Sequence, residues 1–180
     1  MDFNKLFKKI SAEEMNDNIF KLVGEDFAIA TAGKENNYNS MVVSGGGFGV
    51  LFKKPTTWCI FRSDRYTLEI IKKEHTYTLS YFPNEYKKEI LFLGSKSGRN
   101  SNKMNEVKLT NIKTPSENIT FKEARLIIEC KLTQITTPNE DDFYNKEAKD
   151  YIEKEYKNPK HNRKFVFGEI LNIWIKDKLN

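Results

Sequence analysis

The stretch NSMVVSGGGFGVLFKKPTTWCIFRSDRYT, residues 39–67, carries the strongest structural signal in the chain. Its two apolar runs, MVV and TTWCIF, are rich in the β-branched and aromatic residues that favour strands. Three consecutive glycines lie between them at 45–47, although the chain has only nine glycines. Because glycine adopts conformations that other residues avoid, the triplet predicts a tight loop between strands. The alternative is a place where the backbone approaches a flat ligand closely, with N–H groups free to donate.

The segments around this stretch predict a mainly β fold with short helices. Alternating or continuous apolar runs indicate strands at 26–32, 38–44, 56–62, 76–82, 121–135 and 163–177, the last with a bulge at Gly168. Helical spacing or capping patterns indicate helices at 11–23, 65–74, 84–94 and 141–156. In the first of these, Ser11 and Glu14 form a capping-box pattern. Five to seven strands with interleaved helices favour a small barrel, and the absence of regular βαβ units argues against a Rossmann sheet.

Length and composition predict one globular domain over residues 1–180. Hydrophobic residues make up 38% of the chain, but no apolar run has the length of a membrane span or the pattern of a signal peptide. We therefore expect a cytoplasmic protein with no membrane partner. The net charge of +5 is spread along the chain rather than clustered, so no nucleic-acid partner is expected. Cys59 and Cys130 lie in strand-like runs without metal-ligand spacing, which predicts buried, reduced thiols and no metal.

Two polar stretches have the composition of anion-binding loops. The segment GSKSGRNSNK, residues 94–103, combines hydroxyls, cations and glycines within ten positions. The segment RSDRYT, residues 62–67, repeats this chemistry at the end of a predicted strand. Hydroxyls, freed backbone amides and paired cations are the groups that bind a phosphate monoester. Together with the glycine-rich stretch, the two loops indicate a planar, phosphorylated ligand.

The order of six motifs also resembles a known family. KLVGEDFAIATAG, YNSMVVSGGGFGVLFKKP, FRSDRYTLEII, TLSYFPNEYKK, LGSKSGRNSNK and FGEILNIWIKD follow one another over residues 21–177. Together they resemble the flavin reductase-like, FMN-binding split-barrel family, and in particular its flavoredoxin-like branch. The resemblance covers about residues 18–176, which makes this range the core of the domain and leaves a short helical N-terminal extension before it. It implies a split β-barrel homodimer that holds FMN near the subunit interface.

The resemblance also implies a role for each motif. The residues Ser40, Met41, Val42, Val43 and Ser44 would lie along the isoalloxazine ring, with Met41 against the ring and backbone amides reaching its polar edge. In the second motif, Arg62, Arg65 and Thr67 would contact the ribityl chain or the phosphate. The phosphate contacts would be completed by Ser95, Ser97, Arg99 and Lys103. Relatives commonly have Ser-Trp-Gly where this chain has Ser44-Gly45-Gly46, so a large aromatic side chain near the flavin is missing here.

Two functions agree with these motifs. The first is an FMN-dependent oxidoreductase in which NAD(P)H reduces the bound flavin. Because the flavin itself carries the chemistry, this function needs no catalytic triad, and we nominate no catalytic residue. The second is a non-enzymatic FMN electron carrier that docks a redox partner. Turnover of NAD(P)H separates the two, because a carrier would bind FMN but oxidise NAD(P)H negligibly. A basic nucleic-acid-binding barrel is a third alternative, which predicts salt-sensitive binding to DNA or RNA.

Overall fold

The structure is a computed structural model, and it describes residues 2–35, 37–96, 98–99, 103–156 and 162–177. Its strands are β1 (Phe7–Ile10), β2 (Ala28–Lys34), β3 (Asn37–Val43), β4 (Gly46–Leu51), β5 (Lys54–Arg62), β6 (Thr76–Tyr81), β7 (Asn111–Lys113), β8 (Ile119–Phe121), β9 (Leu126–Thr136) and β10 (Arg163–Lys176). The α-helices are α1 (Ile19–Lys21), α2 (Tyr66–Glu74), α3 (Lys87–Ser95) and α4 (Lys146–Tyr156). A π-helical turn at Leu22–Asp26 continues α1, and short 3-10 turns lie at Phe3–Lys5, Asn84–Tyr86, Lys103–Glu106 and Glu140–Asp142.

Eight of the strands form one antiparallel sheet in the order β3-β2-β6-β9-β10-β5-β4, with β1 paired to β10. The strands β3 and β4 are the two edges of this order, yet only Ser44 and Gly45 separate them in the chain. So short a connection brings both edges to the same place, and the sheet therefore curls into a barrel. Among the described residues β3 and β4 are not paired with each other, so the barrel stays split. This confirms the predicted mainly β, split-barrel fold.

Apolar side chains pack on both faces of the curled sheet. One cluster contains Phe61, Leu79, Ile128 and Val166 from the strands, and Leu68 and Ile71 of α2 pack into it. The second cluster joins Ile29, Ile127 and Trp174 of the opposite face to Leu93 of α3 and to Phe121 of β8. Because adjacent residues of a strand point to opposite faces, Ile127 and Ile128 serve different clusters. The sheet is thus buried on both sides, and α2 and α3 are fixed against it.

Only Gly45 of the glycine triplet lies in the predicted loop, in the two-residue connection between β3 and β4. Gly46 and Gly47 belong to β4, which pairs with β5 so that Gly47 lies opposite Trp58. At Gly46 the backbone has φ +150°, and a Cβ atom would lie 1.9 Å from the carbonyl oxygen of Trp58. At Gly47 a Cβ would lie 2.4 Å from Cζ2 of the Trp58 indole. Gly46 and Gly47 are therefore required for the close pairing of β4 with β5, and the prediction of a loop is correct for Gly45 but wrong for these two residues.

The N-terminal helix is shorter than its capping pattern predicts. The Ser11 amide does donate to Glu14 Oε2 at 2.7 Å, as in a capping box. However, the residues that follow form turns, and α1 begins only at Ile19, where the Asn18 side chain caps it by accepting from the Lys21 amide at 3.1 Å. The hydrogen bond of the capping box is therefore present here without the helix that it usually begins.

The strand count also exceeds the prediction of five to seven. The additional strands are β1, β4, β7 and β8, all of which are short or glycine-rich. The single strand predicted at 121–135 is divided by a turn into β8 and β9. The bulge predicted at Gly168 is confirmed, because the β9–β10 register shifts between Phe167 and Gly168. Cys59 and Cys130 are free and buried, as predicted.

Among the described residues, no helix is both long enough and apolar enough to cross a bilayer. The same part of the chain contains no group of three or more His, Cys, Asp or Glu side chains that could hold a metal ion.

Candidate functional site

A polar cavity of about 420 Å³ lies between edge strand β3, the β5–α2 turn and the end of α3. Its volume falls in the range of small-molecule sites in proteins. The residues that line it are Asn39, Met41, Arg62, Asp64, Arg65, Tyr66, Thr67, Gly94, Ser95, Lys96, Gly98 and Lys103. The fold therefore brings together parts of all three stretches that the sequence singled out.

The β5–α2 turn places the start of a helix at the cavity. Arg62 ends β5, and Arg65 is the residue before α2, with an extended backbone at φ −75° and ψ 126°. The turn is fixed by backbone bonds from Ser63 to Asn162 O at 2.7 Å and from Arg65 to Arg62 O at 3.2 Å. The first amides of a helix have no acceptor within the helix and carry the positive end of its dipole. The start of α2 is therefore suited to a bound anion.

Arg62 is held at the rim of the cavity by Asp64. Its Nε and Nη2 atoms donate to the two carboxylate oxygens of Asp64 at 3.1 and 2.6 Å. This side-chain hydrogen bond, followed by the nearby positive charges, lowers the pKa of Asp64. The Asp64 charge offsets that of Arg62, so Arg62 is positioned but partly neutralised.

Arg65 is in a different state. Its side chain is half-buried, and its Nε atom is buried without a hydrogen-bond partner among the described residues. Burial lowers the pKa of Arg65, and the positive charge of Arg62 lowers it further. A buried N–H without an acceptor is costly, so a bound acceptor at this position would relieve the cost. Arg65 is thus the strongest indication of an anionic ligand.

Thr67 is oriented by Asn39, a residue that the sequence analysis did not select. The Asn39 amide donates to Thr67 Oγ1 at 2.7 Å, and both side chains are buried. Because Thr67 Oγ1 accepts this bond, its own hydrogen remains able to donate to another group. Gly98 packs tightly against the same amide, since a Cβ there would lie 1.9 Å from Asn39 Oδ1. Only the folded contact between β3 and α2 reveals the role of Asn39.

The end of α3 forms the third wall. Ser95 lies at the cavity and donates its hydroxyl to Phe92 O at 2.8 Å. Lys103 is only 3% exposed, and its Nζ donates to Leu93 O at 2.7 Å and to Lys96 O at 3.0 Å. Burial, together with the charge of Arg65, lowers the pKa of Lys103 to about 8.

The side chains at 40–44 on β3 lie in several places. Met41 lines the cavity, whereas the buried Ser40 hydroxyl shares a 2.8 Å hydrogen bond with Thr31 inside the sheet. Val42 lies next to Gly94 of α3, Val43 is in the core, and Ser44 is exposed at the corner before β4. The predicted ring contacts of this strand therefore depend on Met41 and on the backbone of the edge strand.

One of the predicted phosphate ligands makes other contacts. Arg99 is outside the lining of the cavity: its guanidinium forms a two-pronged ion pair with Glu69, with Nη1 2.9 Å from Oε2, and lies 5.3 Å from the centre of the Tyr66 ring. Its role in phosphate binding stays a prediction. Ser97 lies outside the described residues.

The comparison with protein families agrees with this geometry. Residues 22–180 match the model of the flavin reductase like domain. The chain belongs to this family. A search of curated proteins finds no match.

Solved structures show the same fold at low sequence identity. An FMN-binding protein from Thermus thermophilus with bound p-hydroxybenzaldehyde has a TM-score of 0.66 and 15% identity, and the match covers 96% of this chain and 83% of that one. Flavoredoxin of Desulfovibrio vulgaris (Miyazaki F) has a TM-score of 0.65 and 17% identity, with 95% and 78% covered. The NADH:FAD oxidoreductase of Streptomyces globisporus has a TM-score of 0.61 and 9% identity, with 84% and 78% covered. This flavin reductase-like chain thus shares the split-barrel fold with proteins named for flavin binding and for flavin chemistry.

Proposed function

We propose that this flavin reductase-like protein binds FMN and acts as an NAD(P)H-dependent oxidoreductase. One observation carries the proposal: the start of α2 lies at the polar cavity, and Arg65, whose buried Nε has no hydrogen-bond partner among the described residues, lines it. A helix start combined with a desolvated guanidinium is an arrangement that binds a phosphate group. FMN is a planar ligand with such a phosphate.

The residues present fit this cofactor. Arg65, the Thr67 hydroxyl and the first amides of α2 would hold the phosphate, with Arg62 and Lys103 adding positive charge. The isoalloxazine ring would lie along β3, whose outer backbone groups have no strand partner among the described residues, and Met41 would pack against it. At Gly45, where relatives commonly have Trp, a Cβ atom would meet only the Ile60 side chain, at 3.4 Å. The site is therefore more open at this position than in those relatives.

When bound, FMN would supply the ability to accept a hydride from a reduced nicotinamide. The chain itself would bind and orient the cofactor and keep water from one side of it. We assign no acid–base role to any side chain, because a hydride transfer to flavin needs none. We place the activity in the cytoplasm, which supplies NAD(P)H and keeps thiols such as Cys59 and Cys130 reduced.

A non-enzymatic electron carrier is the second candidate. It is favoured by the fold shared with flavoredoxins from Desulfovibrio vulgaris and Methanosarcina acetivorans. In that case the same cavity would hold FMN, and a redox protein rather than a nicotinamide would approach it.

We also propose that the protein is a homodimer, as the family resemblance implies. Val50 and Phe52, at the end of edge strand β4 and in the following turn, are 77% and 73% exposed. An exposed apolar edge of this kind is expected to be covered by another chain. Sedimentation at micromolar concentrations tests this, and a monomer at all concentrations would contradict it.

The function is tested by titrating the purified protein with FMN and with riboflavin, which lacks the phosphate. Micromolar or tighter binding of FMN, and binding of riboflavin at least tenfold weaker, supports the phosphate site. Anaerobic addition of NADH or NADPH then separates the candidates by the 450 nm absorbance of the bound flavin. Rapid bleaching supports the reductase, and bleaching by dithionite alone supports the carrier. Absence of FMN binding would overturn both.

A further inference from the structure

Lys103 occupies an unusual position for a lysine in a ligand site. Its ammonium is buried at the wall of the cavity, and two of its three hydrogens are donated to Leu93 O and Lys96 O at the end of α3. The last carbonyl groups of a helix receive no hydrogen bond from within the helix, and a cation near them is stabilising. The ammonium therefore joins the 3-10 turn Lys103–Glu106 to the end of α3, across the segment that contains Gly98.

The charged groups that face this ammonium are mostly cationic. Arg65 approaches it from the start of α2, and Arg62 and Asp64 lie on the same side in mutual contact. On the α3 side, the Lys96 ammonium is paired with Glu106 at 2.6 Å. Farther out, Arg99 is paired with Glu69. Among the described residues, no carboxylate lies within ion-pair distance of Lys103, so nothing there compensates its buried charge except the two carbonyl groups.

We propose that Lys103 is a positioning residue of the phosphate site: its charged ammonium holds the end of α3 in the shape that binds a phosphate dianion, and the dianion in turn keeps that ammonium charged. This inference rests on the proposed binding of FMN. It assigns Lys103 a second task beside attraction, since two of its hydrogens already bind the protein. Because the Lys103 ammonium is buried without a carboxylate partner among the described residues, we expect its protonation to depend on whether the phosphate is bound.

The expected consequence is a pH dependence of affinity with a defined sign. Burial lowers the pKa of Lys103 to about 8 in the ligand-free protein. A dianion nearby favours the charged form and raises this pKa, so binding takes up a proton when the pH exceeds 8. The phosphate monoester is already dianionic above about pH 7, since its second pKa is about 6. Affinity for FMN should therefore fall by no more than about twofold from pH 7 to 8, and by a further factor of about ten between pH 8 and 9.5.

The experiment measures the dissociation constant of FMN by fluorescence quenching from pH 7 to 9.5 at constant ionic strength. The wild-type protein should show the fall, and riboflavin should bind with constant affinity. Lys103→Met should bind FMN weakly at every pH, without the fall. Lys103→Arg keeps the charge through this range and should restore binding with a flat profile. Lys113→Met is the matched control: its ammonium lies outside the cavity and is paired with Glu35 at 2.8 Å, so the fall above pH 8 should remain.

The outcomes separate this inference from the proposed function. Tight FMN binding with a pH-independent affinity in the wild type, or a fall that persists in Lys103→Met, overturns the role of Lys103 and leaves FMN binding intact. No FMN binding at pH 7 overturns the proposed function itself. Circular dichroism and thermal unfolding of each variant at pH 7 show whether it is folded, and for an unfolded Lys103→Met the Lys103→Arg profile decides.

Discussion

Arg62 and Arg65 stand three residues apart, yet they contribute differently to the cavity. Arg62 donates two N–H groups to the Asp64 carboxylate, which partly offsets its charge in the ligand-free protein. Arg65 has a buried N–H without a partner among the described residues. Charge-assisted hydrogen bonds contribute more when the donor is desolvated and uncommitted. We therefore expect Arg65 to contribute more than Arg62 to the binding free energy of an anionic ligand.

Replacement of Arg65 by Met should weaken FMN binding by about 1.5–3 kcal/mol, because a charge-assisted contact to the phosphate is lost. Isothermal titration calorimetry at pH 7 measures the change. Riboflavin affinity should stay within about twofold, since the substitution removes only phosphate contacts.

Arg99→Ala provides the comparison. The family resemblance assigns Arg99 to the phosphate, and a contact there would make this loss as large as that of Arg65→Met. Because its guanidinium is exposed and paired with Glu69, we expect Arg99→Ala to lose less FMN affinity than Arg65→Met.

Unchanged FMN affinity in Arg65→Met would remove Arg65 from the phosphate site.

At the scale of single elements, Gly46 at the start of β4 and Gly45 just before it tolerate a side chain to different degrees. Gly46→Ala should lower the free energy of unfolding by about 1–3 kcal/mol, because the new Cβ would lie 1.9 Å from a backbone oxygen that cannot move aside. Gly45→Ala is the control: its nearest neighbour would be Ile60 Cδ1 at 3.4 Å, an ordinary contact. This change should be neutral or stabilising by up to about 1 kcal/mol. Urea denaturation measures both, and equal effects would contradict the difference assigned to them.

One of the links between the β7–β8 hairpin and the main sheet is a buried carboxylate. Glu129 of β9 is fully buried and accepts hydrogen bonds from Thr114 and Asn118 of the hairpin, and from Asn172 and Trp174 of β10. Glu129→Gln replaces one acceptor oxygen by a donor that faces other donors. Leaving buried polar groups unsatisfied should cost about 1–3 kcal/mol of unfolding free energy.

Glu169→Gln is the matched control for this substitution. Glu169 lies on β10, where its carboxylate is 3.7 Å from the exposed Lys54 ammonium, so its loss should cost at most about 1 kcal/mol. If Glu129→Gln were no more destabilising than Glu169→Gln, the network would not hold the hairpin in place.

The elements that the sequence predicted well are those whose signal is local. α2 and β6 have side chains with helical spacing and strand alternation within ten residues, and both form at the predicted positions. In contrast, β1 exists because Phe7 pairs opposite Lys176, at the other end of the chain. The glycines of β4 carry no alternating pattern, so only their pairing with β5 makes them a strand.

The same distinction applies to the candidate site. The cation-rich and hydroxyl-rich loops could be recognised from their composition, and Arg62, Arg65, Thr67, Ser95 and Lys103 do meet at one cavity. Asn39 could not be selected, because its partner Thr67 is 28 residues away. Composition also could not predict that Lys103 donates to a carbonyl of α3, or that Arg99 forms an ion pair with Glu69. These contacts join residues that are distant in sequence and meet only in the folded chain.

At the scale of the whole molecule, the sheet encloses four weakly acidic groups that remain neutral in the folded state. Burial raises the pKa of Cys59 to about 12 and raises that of Cys130 well above its usual value. Burial likewise raises the pKa values of Tyr77 and Tyr81. In the unfolded chain the thiols ionise near pH 8.5 and the phenols near pH 10. Unfolding therefore releases protons at alkaline pH, which favours the unfolded chain as the pH rises.

Lys103 opposes this effect, because its folded pKa of about 8 lies below its ordinary value and unfolding takes up a proton. Near pH 9 the phenols stay mostly protonated even in the unfolded chain, so two thiols release protons on unfolding while one lysine binds one, a net release of about one proton. The free energy of unfolding should then fall by about 1.4 kcal/mol per pH unit. Lys103→Met removes the opposing proton and should make this fall steeper. Cys130→Ala removes one released proton and should make it nearly flat. Urea denaturation with a reductant at pH 8, 9 and 10 measures the slopes, and a stability that rises from pH 9 to 10 in the wild type would contradict the buried, neutral state of the thiols.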